Sequence, residues 1–254
     1  RLEAQEALNR ELEEELQTAH DMQMSLMPTS PPQTPGFDIA GRCEPFNHVG
    51  GDFYQYFERG DRLSLALADV TGHAMEAAIP VVMFSGMLDN QMETPRELPE
   101  LFGSLNRSLT RSTDRRTYIC FSMVEIDTAS RSMTIANGGC HYPLHYHATD
   151  DSVTELQVDA YPLGVRVDTQ YVAITAQLEP GDYLVMYSDG IPEAMNAQSE
   201  MFGFDRTIEA VRLACRSGLA AEGVVSKLFE ATRSFLAGRN QDDDMTCVVL
   251  HIAS

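Results

Sequence analysis

The stretch Leu65-Ala66-Leu67-Ala68-Asp69-Val70-Thr71-Gly72-His73 constrains this chain most: an alternating apolar run ends in a carboxylate and a turn glycine, the pattern of a strand leading into a helix. Asp69 would then stand at a sheet edge. Three further carboxylate turns lie at the edges of predicted strands: Gly50-Gly51-Asp52, Tyr187-Ser188-Asp189-Gly190 and Gln241-Asp242-Asp243-Asp244. A fold that gathers these four strand ends would present the hard oxygen ligands that Mg²⁺ or Mn²⁺ prefers. A turn aspartate alone says little, since Asp38, Asp61, Asp127 and Asp182 occupy similar places and most such residues simply form turns.

Strand patterns fall at Asp38–Glu44, Asp52–Glu58, Arg62–Asp69, Tyr118–Asp127, Ser132–Asn137, Leu144–His147, Val153–Val158, Tyr171–Gln177, Tyr183–Tyr187 and Thr246–Ile252. Short turn-like links such as Glu58-Arg59-Gly60-Asp61 favour antiparallel pairing. Helical spacing marks Ala74–Gln91, Glu97–Arg111, Arg206–Arg216 and Ala221–Leu236, with Pro80 predicting a kink or a later start in the first. Antiparallel strands interrupted by two separate helix pairs predict an α+β layered domain with each pair covering a sheet face.

Residues 1 to 27 read as one helix with Leu2, Gln5, Asn9, Leu12, Leu16, Ala19, Gln23 and Leu26 on a coiled-coil-like seam. Such a helix either dimerises and carries a signal or packs on its own domain. Prolines 28, 31, 32 and 35 then make a linker, so the expected division is 1–27 linker and dimerisation helix, 28–36 Pro-rich linker, and 37–254 main domain.

Composition removes several function classes. With 38 acidic against 18 basic residues the formal charge is -20, which repels nucleic acid and anionic lipid. No apolar run reaches the roughly 18 residues of a spanning helix. The cysteines at 43, 120, 140, 215 and 247 are odd in number and widely spaced, as expected for buried thiols in a reducing, cytoplasmic setting. The chain opens on Arg1 and reads as a piece of a longer protein carrying an upstream sensor or receiver module.

Several stretches together resemble one family. Val49-Gly50-Gly51-Asp52-Phe53-Tyr54, Ala68-Asp69-Val70-Thr71-Gly72-His73, Asn137-Gly138-Gly139, Pro162-Leu163-Gly164, Gly181-Asp182-Tyr183-Leu184, Tyr187 through Ala194, Phe202-Gly203 and Asp242 through Thr246 look like the ordered motifs of SpoIIE/RsbU-type serine phosphatases. These are bacterial members of the metal-dependent protein phosphatase superfamily that includes protein phosphatase 2C. The segment Ala19 through Pro28 is similar to the helix that joins sensor and phosphatase in that family. The resemblance implies an αββα sandwich with two Mn²⁺ or Mg²⁺ ions. It makes Asp69 the bridging carboxylate, places the Val70 carbonyl and Asp52 on one ion and Asp189 and Asp243 on the other, and leaves Asp244 as an outer-sphere or alternative ligand. In this chain Ala74 stands where the family commonly has glycine, and its Asn-Ala-Gly-His run becomes Asn137-Gly138-Gly139-Cys140-His141.

The resemblance further implies hydrolysis of phosphoserine or phosphothreonine on a regulatory protein, such as a STAS-domain anti-sigma-factor antagonist, by a homodimer joined through residues 1–27. A catalytically silent protein-binding module of the same fold and a nucleotide phosphodiesterase remain as alternatives. Gly72 and Gly190 are expected to permit a tight turn and a close backbone passage. His73 is a candidate proton donor against the plainer role of a helix-start residue, and His141 reads as a packing residue.

Overall fold

The computed structural model describes residues 2–72, 75–113 and 116–253. His73 and Ala74 lie outside the described residues. The elements are α1 (Leu2–Met24), β1 (Phe37–Glu44), β2 (Asp52–Arg59), β3 (Arg62–Val70), α2 (Met75–Met92), α3 (Leu98–Ser112), β4 (Ile119–Asp127), β5 (Ser132–Gly138), β6 (Leu144–His147), β7 (Ser152–Glu155), β8 (Ile174–Gln177), β9 (Tyr183–Tyr187), α4 (Gly203–Arg216), α5 (Ala221–Leu236) and β10 (Met245–Ile252). They form two antiparallel sheets, ordered β1-β10-β9-β6-β7 and β2-β3-β4-β5-β8.

Alternation along β10 explains the layers. Val248, Leu250 and Ile252 join the core between the sheets, whereas Met245, Cys247 and Val249 turn to the other face against α4 and α5. On the second sheet the rings of Phe84 (α2) and Phe102 (α3) close on Phe121 (β4) at 5.1 and 4.7 Å. Each helix pair therefore covers its own sheet, the αββα sandwich expected. Burying each such ring stabilises the fold by about 1.5–3 kcal/mol.

Helix ends show how side chains finish these elements. Ala220, the residue before α5, offers no side-chain cap. Asp38 from β1 supplies one, its Oδ2 accepting the Ala221 N–H at 2.7 Å. The bond fixes α5 on the sheet. α2 begins at Met75 and runs through Pro80, so the proline does not delay the helix.

The N-terminal helix forms as expected; Glu13 meets His48 of the domain at 3.1 Å, and the last turns of the helix are the part that buries side chains against it. Leu12, on the predicted seam, is 54% exposed, while Gln23 and Met27 are buried. His20 Nδ1 lies 2.6 Å from the His48 carbonyl, and the Met27 sulfur accepts the Tyr54 N–H.

Candidate metal centre

Register brings the first two carboxylates together. β2 begins at Asp52 as β3 is ending, and their antiparallel pairing sets Asp52 opposite Asp69, while Asp69 also faces Cys120 on β4. The other pair comes from the β1-β10-β9-β6-β7 sheet. Asp189 leaves the end of β9 and Asp243 precedes β10, and these neighbouring antiparallel strands place one exit beside the other entrance. Ser188 N–H donates to the Thr246 carbonyl at 3.0 Å, and Thr246 N–H returns a bond to Ser188 Oγ at 2.9 Å.

The six predicted ligand positions differ in their surroundings. Asp69 and Asp189 line one cavity of about 210 Å³ with Glu193, Cys120, Cys140, His141 and Tyr187. Asp52 is buried at one side, its Oδ2 accepting the Thr246 hydroxyl at 2.5 Å. Asp243 is exposed, and its Oδ1 accepts the Asp244 N–H at 2.8 Å. Both Asp244 oxygens are engaged by backbone, taking the Phe46 and Gly51 N–H groups at 2.7 Å. Asp244 thus holds the loop that leads into Asp52. The Val70 N–H closes on the Gly51 carbonyl at 3.0 Å, tying the end of β3 to that loop.

The glycines behave as expected. Gly72 has φ +117°, in the range that disfavours side chains. A Cβ on Gly190 would stand 2.0 Å from the Asp244 carbonyl oxygen, so the loops carrying Asp189 and Asp244 cross at backbone contact there.

Electrostatics register how closely the carboxylates converge. Burial, followed by Asp189, Asp243, Asp244 and Glu193, pushes the Asp69 carboxyl up to about 7. Asp189 is raised to about 6 by burial and then by Asp243 and Glu193. Asp52 is held well above its ordinary range by burial, then by Asp69 and Asp244. Hard oxygen donors that repel one another around a cavity fit Mg²⁺ or Mn²⁺, whose charge would relieve that repulsion.

The thiols nearby are poorly suited to nucleophilic work. Burial first, and then the aspartates, pushes Cys120 to about 12; Cys140 is raised well above the ordinary thiol range. Arg42 is turned away from the cavity, donating to Ser226 Oγ at 2.9 Å and pairing with Glu222 on α5.

Two cavity residues escaped nomination from the sequence. Glu193 lies in the turn after Asp189, within the Tyr187–Ala194 stretch, and its carboxylate raises both Asp69 and Asp189. His141 packs as its sequence position suggests, its ring stacking on Tyr187 at 5.9 Å and meeting Phe204 edge-on at 5.0 Å. Yet its buried Nε2 has no hydrogen-bond partner among the described residues, and it stands between the 210 Å³ cavity and an adjoining groove of about 350 Å³.

Residues 59–253 match the family model described as Stage II sporulation protein E (SpoIIE). The chain is 26% identical over 245 residues to the phosphoserine phosphatase RsbU of Bacillus subtilis, spanning 96% of this chain and 71% of that protein. Its structure resembles the SiaA-PP2C domain of Pseudomonas aeruginosa, with a TM-score of 0.83 at 22% identity, covering 96% of this chain and 98% of that one. It also resembles the PP2C phosphatase domain and regulatory fragment of SpoIIE from Bacillus subtilis, with a TM-score of 0.70 at 21% identity over 85% of this chain and 63% of that one. A family match over most of the chain, a shared fold and converging carboxylates at the ends of both sheets agree: the chain belongs to the SpoIIE family and has its protein phosphatase 2C-like architecture.

Proposed function

We propose that this domain is a metal-dependent protein serine/threonine phosphatase in bacterial signalling, acting on a phosphorylated STAS-domain anti-sigma-factor antagonist. The observation that carries this reading is the convergence of Asp69 and Asp189 on one cavity, with Asp243 adding its charge to both. RsbU, named as a phosphoserine phosphatase, supports the substrate class.

Asp69, Asp189 and Asp243 would hold the cations, with the Val70 carbonyl and Asp52 completing the set and Asp244 ordering the loop before Asp52. Carboxylates from both sheets, Asp52 and Asp69 from one and Asp189 and Asp243 from the ends of the other, would hold two ions there. Divalent cations bound there supply Lewis acidity, polarising the phosphoryl oxygens and easing ionisation of the attacking water. The walls formed by Tyr187, Cys140 and His141 would limit solvent around the scissile phosphate. Protonated thiols at Cys120 and Cys140 leave the attack to water.

The linker helix gives this reading a regulatory arm. Its last turn is bonded to the loop carrying Gly50 and Gly51, so a movement of α1 reaches Asp52 through two residues of backbone. An upstream module and pairing of two copies through residues 1–27 would act along this route.

The test is phosphate release from a phosphoserine-bearing STAS-domain protein with Mn²⁺, comparing the intact chain with Asp69→Asn and Asp189→Asn. Release by the intact chain, falling more than about a hundredfold in both variants, is expected. Mn²⁺ binding without any release would favour the silent binding module.

A further inference from the structure

β6 brings a second set of metal-ligating side chains to the other end of its sheet. His145 and His147 alternate onto one face of the strand, with ring centroids 3.9 Å apart, and His145 lies opposite Leu184 in the β6–β9 register. Leu184 belongs to the core between the sheets, so both histidines point to that inner side. Asp182, just before β9, reaches the same place, its Oδ2 standing 2.8 Å from His145 Nε2. One ligating atom from each of the three residues fits within a 4.8 Å set. Asp182 and Asp189 lie at opposite ends of β9, seven residues and roughly 20 Å apart along the chain, so this cluster is separate from the carboxylate centre.

The surroundings prepare these groups as ligands. Asp182 is held rigidly, its Oδ1 accepting the Ala148 N–H at 2.9 Å and its Oδ2 the Glu179 N–H at 3.0 Å. Such outer bonds orient a coordinating carboxylate. His147 Nε2 lies 3.0 Å from the Thr154 hydroxyl, which fixes its ring and leaves Nδ1 for an ion. His145 and Asp182 are buried while His147 is half-exposed, giving an ion a path from solvent. Burial foremost holds the His145 imidazole below its ordinary range, in the neutral form that coordinates.

We propose that His145, His147 and Asp182 form a second metal site, for Zn²⁺ or a similar borderline cation, that ties the β6–β7 hairpin to the turn entering β9. Two imidazoles and one carboxylate suit Zn²⁺, whereas Mg²⁺ prefers all-oxygen sites. Binding replaces the His145–Asp182 hydrogen bond with two coordinate bonds. His145 then carries its proton on Nδ1, and the two ligating atoms open to about 3.3 Å, the spacing of neighbours on a tetrahedral ion. Water completes the coordination on the His147 side.

The test uses the full chain stripped of metal and then saturated with Mg²⁺ to occupy the carboxylate centre. Zn²⁺ is titrated calorimetrically, with Co²⁺ absorption as a second probe of imidazole coordination. One equivalent of Zn²⁺ is expected, retained in Asp69→Asn and weakened at least about tenfold in His147→Ala, since losing a direct ligand costs no less than losing an outer-shell partner. His147 is half-exposed, so thermal melting of the variant without metal should match the parent. No Zn²⁺ uptake by the Mg²⁺-saturated chain, equal affinity in His147→Ala, or loss of uptake in Asp69→Asn would each overturn the proposal.

Discussion

Gln23 and Gly50 bind each other twice: Gln23 Nε2 donates to the Gly50 carbonyl at 2.7 Å, and the Gly50 N–H donates to Gln23 Oε1 at 2.9 Å. The glutamine is 4% exposed and lies 27 residues away in the chain. A side-chain amide at the end of α1 thus stands in for a strand partner of the loop before Asp52. Gln23→Ala leaves both backbone groups of Gly50 without that partner, at a cost of about 1–3 kcal/mol. The expected result is a lower thermal midpoint together with a higher Mn²⁺ requirement for phosphate release. An unchanged Mn²⁺ requirement would show that the contact holds the helix without reaching the site.

Truncation separates the two roles of the same helix. Removing residues 1–18 deletes the exposed stretch around Leu12 but keeps Gln23 and Met27 in place. That variant should lose self-association, measured by sedimentation, and keep basal phosphatase activity. Removing residues 1–27 should lower activity as well; full activity after the longer deletion would sever the helix from control of the site.

Carboxyl repulsion sets a pH dependence for the metal-free domain. Asp69 near 7 and Asp189 near 6 lie above the values of an unfolded chain, about 4, so folding favours their protonated forms. Ionising them therefore weakens the fold as pH rises from about 4 to 7, and the penalty is complete above the folded values. Melting in chelator should show stability falling across that window, and Mn²⁺ should restore it at neutral pH. Asp69→Asn should stabilise the metal-free domain at pH 8 by on the order of 1–3 kcal/mol, discounted for partial exposure, and have little effect near pH 4.

Gly190→Ala tests the crossing of the two loops. Its Cβ would meet the Asp244 backbone oxygen at 2.0 Å, where no flexible side chain is available to yield. Displacement of Asp189 from Asp243 should weaken Mn²⁺ binding by at least about tenfold and destabilise the fold by about 1–3 kcal/mol. Calorimetric titration and thermal melting read the two effects separately.

Arg42→Ala provides the contrasting outcome. Its guanidinium bonds to α5 through Ser226 and Glu222 and lies over the Phe229 ring at 5.3 Å. Phosphate release should stay within about twofold of the parent, with stability reduced by about 1 kcal/mol or less. A large rise in KM would instead assign this arginine to phosphate binding.

Local chemistry made much of the fold legible in the sequence. Short turns between alternating runs mark the β2-β3 and β4-β5 hairpins, and the Asp127 turn is closed as such turns are, with Oδ1 accepting the Ala129 and Ser130 N–H groups. Sheet membership is a different matter: β8 joins β5, while β9, a few residues later, enters the other sheet between β6 and β10. Pairing over such separations is decided by packing, which leaves no periodic mark. Gln23 shows the same limit. The periodicity places it on the predicted helical seam, yet its amide is spent on Gly50. The four principal carboxylates were recognisable through their motifs; Glu193 and the Nε2 of His141 acquired meaning only when the cavity placed them beside Asp69 and Asp189.

Two of those carboxylates, Asp52 and Asp69, lie on strands of one sheet, while Asp189 and Asp243 lie in loops at the ends of strands of the other. A cation held among them, as proposed above, would be a rivet through two plates. Slippage of one sheet against the other by an ångström or two would pull such a rivet apart before disturbing either hydrogen-bonded ladder, so an occupied centre would act as a vernier for the alignment of the whole sandwich.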